Sequence, residues 1–195
     1  MTTSPKFELT SETRDFFGVI FYRIRALRDL ANVKAGDFGG WISKEANLSH
    51  EGNCWVSDNA RVFGDAQVFG DAQVSGDAWV SGDARVFGDA QVSDNAWVSG
   101  NAWVYGNARV YGNAQASDNA KIQTRNDIIW FSNVGSENGT LTAFKTDAGI
   151  CVTRGCFTGS LDEFKKAVEK RHGNNQYGAG YLILIDFINH HFANC

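Results

Sequence analysis

The sequence predicts a mainly β protein, a parallel β-helix of about five coils held between two caps. Three observations carry that prediction. Residues 57–122 fall into eleven consecutive six-residue units without a slip, from Ser57-Asp58-Asn59-Ala60-Arg61-Val62 to Ser117-Asp118-Asn119-Ala120-Lys121-Ile122. The 195 residues include 21 glycines and one proline, which points to turns recurring at a fixed interval rather than to a linker or collagen. Within each unit Ala and Val stand two apart, so in a strand they share one face while the residue between them points out.

The N-terminal segment, residues 1–36, reads as a strand-rich cap. Phe7-Glu8-Leu9-Thr10 and the alternating run Val19 to Leu27 have strand character, and Arg23, Arg25 and Arg28 cluster on the second of them. On that strand Tyr22 and Ile24 take one face and Arg23 and Arg25 the other, as expected of a solvated or salt-bridged edge. An anion site is the alternative.

Residues 37–122 form the helix body. Looser copies precede the regular units: 37–42, 43–48, a two-residue insertion Ser49-His50, then 51–56, giving fourteen units in all. Gly-Asp, Gly-Asn and Asp-Asn pairs supply turns that tolerate left-handed backbone angles. Each unit buries the same narrow Ala/Val stripe, and the simplest closure is a coil of three flat sides with stacking at i and i+18. At three units per turn the stack is nearly five coils and about 22–24 Å tall. Its two open ends invite edge-to-edge pairing unless they are capped.

Residues 123–195 predict a small α+β cap. Ile128-Ile129-Trp130-Phe131, Thr140 to Phe144 and Ile150 to Thr153 look like strands, with Asp147-Ala148-Gly149 a turn. Ser160-Leu161-Asp162-Glu163 is a capping box that opens a helix running to about His172, where Gly173 stops it. Tyr181, Leu184, Ile185, Ile188 and Phe192 follow the spacing of a second helix.

The hexads resemble the hexapeptide-repeat proteins, whose pattern sets an aliphatic residue four positions before a small one, as in Val62 and Ala66 or Val80 and Ala84. That resemblance covers roughly residues 37–122 and implies a left-handed parallel β-helix, commonly trimeric about an axis parallel to the coil. Most members of that family transfer acyl groups from acyl-CoA or acyl-carrier protein, with a histidine as general base. The flanking stretches Gly155-Cys156-Phe157-Thr158-Gly159-Ser160-Leu161-Asp162-Glu163-Phe164 and His172-Gly173-Asn174-Asn175 are similar to flanks of hexapeptide-repeat proteins encoded by phages and mobile elements. This second resemblance implies a phage-type origin and brings no activity with it.

Outward residues distinguish the three sides. The first presents Trp41/Ser43, Arg61/Phe63, Trp79/Ser81, Trp97/Ser99 and Gln115/Ser117. The second presents Gln67/Phe69, Arg85/Phe87, Trp103/Tyr105 and Lys121/Gln123. The third presents Trp55/Ser57, Gln73/Ser75, Gln91/Ser93 and Arg109/Tyr111. Aromatic sides on so thin a body are expected to face protein or ligand. Phe63, Phe69, Phe87, Trp79 and Trp97 are therefore the expected trimer contacts on the first two sides, with the Gln/Ser side in solvent. A ligand cleft would draw on Trp79, Trp97, Arg85, Trp103, Tyr105, Arg61 and Arg109. Trp and Tyr beside Arg suit a flat ring carrying negative charge, such as a nucleotide.

Other chemistries fit poorly. The regular units contain no histidine and no long loop, so an acyltransferase would have to be built around His50. A catalytic zinc would need three coil histidines, and neither metal nor cofactor is expected. The net charge of −4, all of it within residues 57–122, is ill suited to bulk duplex DNA. The Asp and Asn columns read as turn residues, with metal binding or a DNA-mimicking stripe as the alternatives. Cys54, Cys151, Cys156 and Cys195 form no CxxC pair and read as free thiols of a cytoplasmic protein, in a host cytoplasm if the chain is phage-encoded. The start, Met1-Thr2-Thr3-Ser4-Pro5-Lys6, shows no secretory leader, and no apolar run approaches a membrane span. The expectation is a non-catalytic trimeric binding protein, sequestering a nucleotide-like ligand or inhibiting a host defence protein. An acyltransferase and a trimeric spacer are the alternatives.

Overall fold

A computed structural model describes residues 4–194; Met1-Thr2-Thr3 and the Cys195 thiol lie outside the described residues. The chain opens with a long hairpin, β1 (Phe7–Phe16) and β2 (Val19–Ala26), turning at Phe17-Gly18 with both residues at positive φ. Strand β3 (Phe38–Ile42) pairs antiparallel with β2 on one edge and parallel with the β-helix on the other. Twelve two-residue strands follow, β4 to β15, each Ala-x-Val-type unit giving one, from Trp55–Val56 to Lys121–Ile122.

These strands stack as parallel ladders on three faces, with residues 18 apart in register. The first face carries β3, β5, β8, β11 and β14, so that Trp41, Arg61, Trp79, Trp97 and Gln115 form one column. The second stacks Gln67, Arg85, Trp103 and Lys121 in β6, β9, β12 and β15. The third stacks Trp55, Gln73, Gln91 and Arg109 in β4, β7, β10 and β13. The Ala and Val columns between them are fully buried and form one continuous core.

Corner geometry explains the turn residues. Gly70 sits at φ +69°, and a Cβ there would come within 3.0 Å of the Gly88 amide nitrogen on the next coil. Where Ser-Asp-Asn replaces the Gly-containing turn, Asp58, Asp94 and Asp118 adopt the left-handed conformation themselves. The Asp58 and Asp94 carboxylates offset the strain by accepting the Gly76 and Gly112 N–H one coil on, each at 3.0 Å.

Both ends of the coil are sealed by hydrogen bonds. At the base the fully buried Lys6 ammonium donates to the Cys54 carbonyl at 2.8 Å and lies 3.0 Å from Cys54 Sγ. Nearby, the buried Asn47 amide donates to the Gly64 and Ala66 carbonyls. At the top a four-stranded antiparallel sheet closes the stack: β16 (Ile128–Val134), β17 (Gly139–Thr146), β18 (Gly149–Arg154) and β19 (Phe157–Ser160). Thr142 Oγ1 accepts the Gln115 N–H and Thr153 Oγ1 donates to the Gln115 carbonyl. Asp127 ties the junction, accepting from the Gln123 and Thr124 amides and pairing with Lys145 at 2.8 Å. Burial alone would raise its carboxyl, but the Lys145 ammonium and the Thr124 and Gln123 donors outweigh burial and hold it below its ordinary value.

Helices α1 (Leu161–His172) and α2 (Gln176–Ala193) pack on this sheet around a second core that includes Leu141, Val152, Phe164, Ile185 and Ile188. The expected capping box is formed, with Glu163 N–H donating to Ser160 Oγ and Glu163 Oε2 accepting from Ser160 N–H. The short strand β19 was not anticipated, because a four-residue, glycine-containing run shows no alternation that sets it apart from a turn. No helix among the described residues is long and apolar enough to cross a membrane.

Candidate ligand-binding face

The residues expected to line a ligand cleft do not come together within one chain. They divide among the three faces, and the division follows from what each face is packed against.

On the first face the chain covers its own aromatics. The tip of the β1–β2 hairpin folds along the lower coils, setting Phe16 edge-on to Trp79 (6.3 Å between centroids) and Phe21 edge-on to Phe63 (5.5 Å). Arg61 is held between rings, its guanidinium carbon 4.2 Å from the Phe16 centroid and 4.9 Å from that of Trp79. Its Nε is buried without a hydrogen-bond partner, and burial lowers the guanidinium below the usual arginine value. Arg61, Phe63 and Trp79 are thus engaged by the protein's own cap. Trp97, one coil above Trp79, is beyond the hairpin and 47% exposed.

Among the described residues no cap ring packs on the second face, whose ladder is half-buried and whose Trp103 is 38% exposed. Phe69, Phe87 and Tyr105 stack nearly parallel, at 4.7 Å and 5.1 Å with interplanar angles of 4° and 9°. Trp103 stands edge-on to Phe87, flanked by Arg85 from the coil below and Lys121 from the coil above. The Arg85 guanidinium carbon is 5.4 Å and the Lys121 Nζ 5.6 Å from the Trp103 ring. Arg85 pairs with no carboxylate among the described residues, whereas Lys121 meets Asp147 of the β17–β18 turn at 2.6 Å. Above Trp103 the face runs into a cleft of about 530 Å³ between the coils and the C-terminal sheet, with Asp118, Ile150, Cys151 and Ser160 on its walls. Burial, then the Asp118 carboxylate, push the Cys151 thiol above its ordinary value, so it stays protonated at neutral pH. What this face offers is stacking surface beside the Arg85 guanidinium, with Lys121 paired to Asp147.

Arg109 belongs to the third face, beside Tyr111, which packs edge-on against Trp130 of the top sheet at 4.5 Å. Arg125 and His191 complete a shallow hollow there. Lys121 and Asp147 were not expected among the site residues, and no local motif marks them. Only the i+18 rule places Lys121 above Trp103, and Asp147 arrives from a turn folded back from the cap.

His50 is built into the base of the coil. Its ring stacks on Phe7 at 4.3 Å, its Nδ1 accepts the Lys6 N–H at 3.0 Å, and its Nε2 meets Glu45 Oε1 at 2.9 Å. A backbone N–H can only donate, so Nδ1 is unprotonated and the ring proton sits on Nε2, toward the carboxylate. Both nitrogens are occupied, one by the N-terminal segment at Lys6 and the other by Glu45 at the base of the coil.

The repeats match the family described as YdcK beta solenoid repeat over residues 66–82, 90–106 and 102–118. These segments lie within the regular coils, and together with the thirteen stacked strands they support a hexapeptide-repeat-like β-helix. The family match supports the left-handed coil that the resemblance implies. A relative called "Uncharacterized acetyltransferase YdcK", from Escherichia coli (strain K12), is 39% identical over 61 residues. The alignment covers 27% of this chain and 19% of that protein, so the chain spans about a fifth of the length of the curated relative it matches.

Proposed function

We propose that this hexapeptide-repeat protein is a non-catalytic cytoplasmic binder that assembles as a homotrimer and sequesters a nucleotide-like ligand on its second face. One observation carries the reading: among the described residues the Phe69–Phe87–Tyr105 ladder, with Trp103 between Arg85 and Lys121, makes no ring contact with a cap, while Phe63 and Trp79 of the first face pack against hairpin rings. A ring stacked at Trp103 and a phosphate at Arg85 use both features. In the trimer this face lies against a neighbour's first face near Trp97. A phage-type inhibitor of a host protein would use the same surface for a protein partner.

The test pairs affinity with assembly. Nucleoside monophosphates are titrated against wild type, Trp103→Ala and Arg85→Ala while the oligomeric mass is followed. Each substitution is expected to weaken binding by about tenfold or more, as loss of one base stack does, with the trimer intact. Dissociation of the trimer in both variants would make the face a packing surface, as the spacer reading requires.

A second reading, acyl transfer, is favoured by the name of the Escherichia coli relative. It meets the difficulty that His50 has no free nitrogen to act as base.

A further inference from the structure

The C-terminal cap holds a second recess, separate from the β-helix faces. It opens between the end of β18 and helix α1, has a volume of about 310 Å³, and is lined by both apolar and charged groups. Phe157, Phe164 and Tyr181 form its apolar wall, Phe164 standing edge-on to Tyr181 at 5.5 Å. Arg154, Arg171 and His172 supply its polar side.

Arg154 is the organising residue. Its side chain is 10% exposed, its Nε donates to the Tyr181 hydroxyl at 3.0 Å, and its Nη2 donates to the Val134 carbonyl at 2.9 Å. Two glycines make room for this pair. A Cβ at Gly139 would lie 2.5 Å from Arg154 Nη1, and one at Gly135 would lie 2.1 Å from the Tyr181 hydroxyl. Among the described residues the remaining nitrogen, Nη1, pairs only with Glu137, whose carboxylate stands off at 3.9 Å and also serves Arg171 at 3.3 Å. Glu137 is well exposed, so two arginines at the recess share one carboxylate that is free to swing into solvent. A nearly buried guanidinium with one amino group left over, beside an aromatic wall, is an arrangement for an anion carried on an apolar body.

We propose that this recess binds a small organic anion, its carboxylate or phosphate displacing Glu137 from Arg154 and Arg171 and its ring resting on Phe157, Phe164 and Tyr181. This site goes beyond the proposed function, and its failure would leave the second-face reading untouched. Phenyl phosphate and benzoate serve as probes, with phenol as the neutral control. Binding to the full-length protein is followed by NMR at the Arg154 Nε–H and by protection of the exposed Cys156 thiol from a maleimide. A saturable shift with either anion, but not with phenol, is expected, and the anion that binds more tightly identifies the head group. Glu137→Gln removes the competing carboxylate from an exposed position and is expected to tighten binding by about two- to fivefold, the scale of one exposed ion pair. Arg154→Met is expected to abolish it. Three results would overturn the proposal: no saturable shift in wild type, equal binding of phenol, or an affinity unchanged in Glu137→Gln.

Discussion

At Lys6 the fold places an ammonium where no water reaches it, against the Cys54 carbonyl and thiol at the open base of the coil. Burial lowers its pKa from the ordinary 10.5, outweighing the Cys54 contacts that would raise it. The sign of the pH effect follows. Between the lowered native value and 10.5 the unfolded chain holds the proton more tightly, so stability rises with pH across that window. Urea midpoints measured from neutral pH toward 10.5 should climb in wild type relative to Lys6→Met, and parallel curves would contradict the burial of a charged amine. Nothing in the sequence marks Lys6 for this role, since its partner is 48 residues away. His50 is similar: its residue type and loop position suited a general base, and only the approach of Phe7 and the Lys6 amide shows it to be structural.

Among the elements, those with a local signature were legible. The Ala-x-Val stripe defined the coil strands, Ser160 and Glu163 defined the start of α1, and Gly173 its end. The hairpin was legible as two strands but not as a sheath. Its tip reaches the first face because β2 runs on past Ile42, and that pairing joins residues as distant as Tyr22 and Ile42 in a register no pattern announces. The consequence is testable at Phe21, which is buried against Phe16 and Phe63. Phe21→Ala removes core contacts worth about 3 kcal/mol or more. The loss should fall on the hairpin, because the Ala/Val ladders of residues 57–122 are held by their own stacking. Amide exchange is expected to quicken across β1 and β2 while the coils stay protected. Uniform loss of protection throughout would mean that hairpin and coil unfold as one unit.

For the molecule as a whole, strict periodicity made the architecture readable. An 18-residue column rule, applied after discounting the insertion at Ser49-His50, places Trp41 beneath Arg61 and Trp103 beneath Lys121, as the ladders show. The candidate site was less legible, because its seven expected residues share periodicity but not surroundings. Arg61 and Trp79 pack against the hairpin, Trp97 stands above it on the first face, Arg109 lies on the third, and Arg85, Trp103 and Tyr105 share the second. Native mass spectrometry of gently purified protein probes that surface and the subunit number together. A trimer carrying about one nucleotide-sized adduct per subunit, removed by Trp103→Ala, is the expected result. A monomer with no adduct would contradict it, leaving the second-face ladder facing solvent with neither neighbour nor ligand.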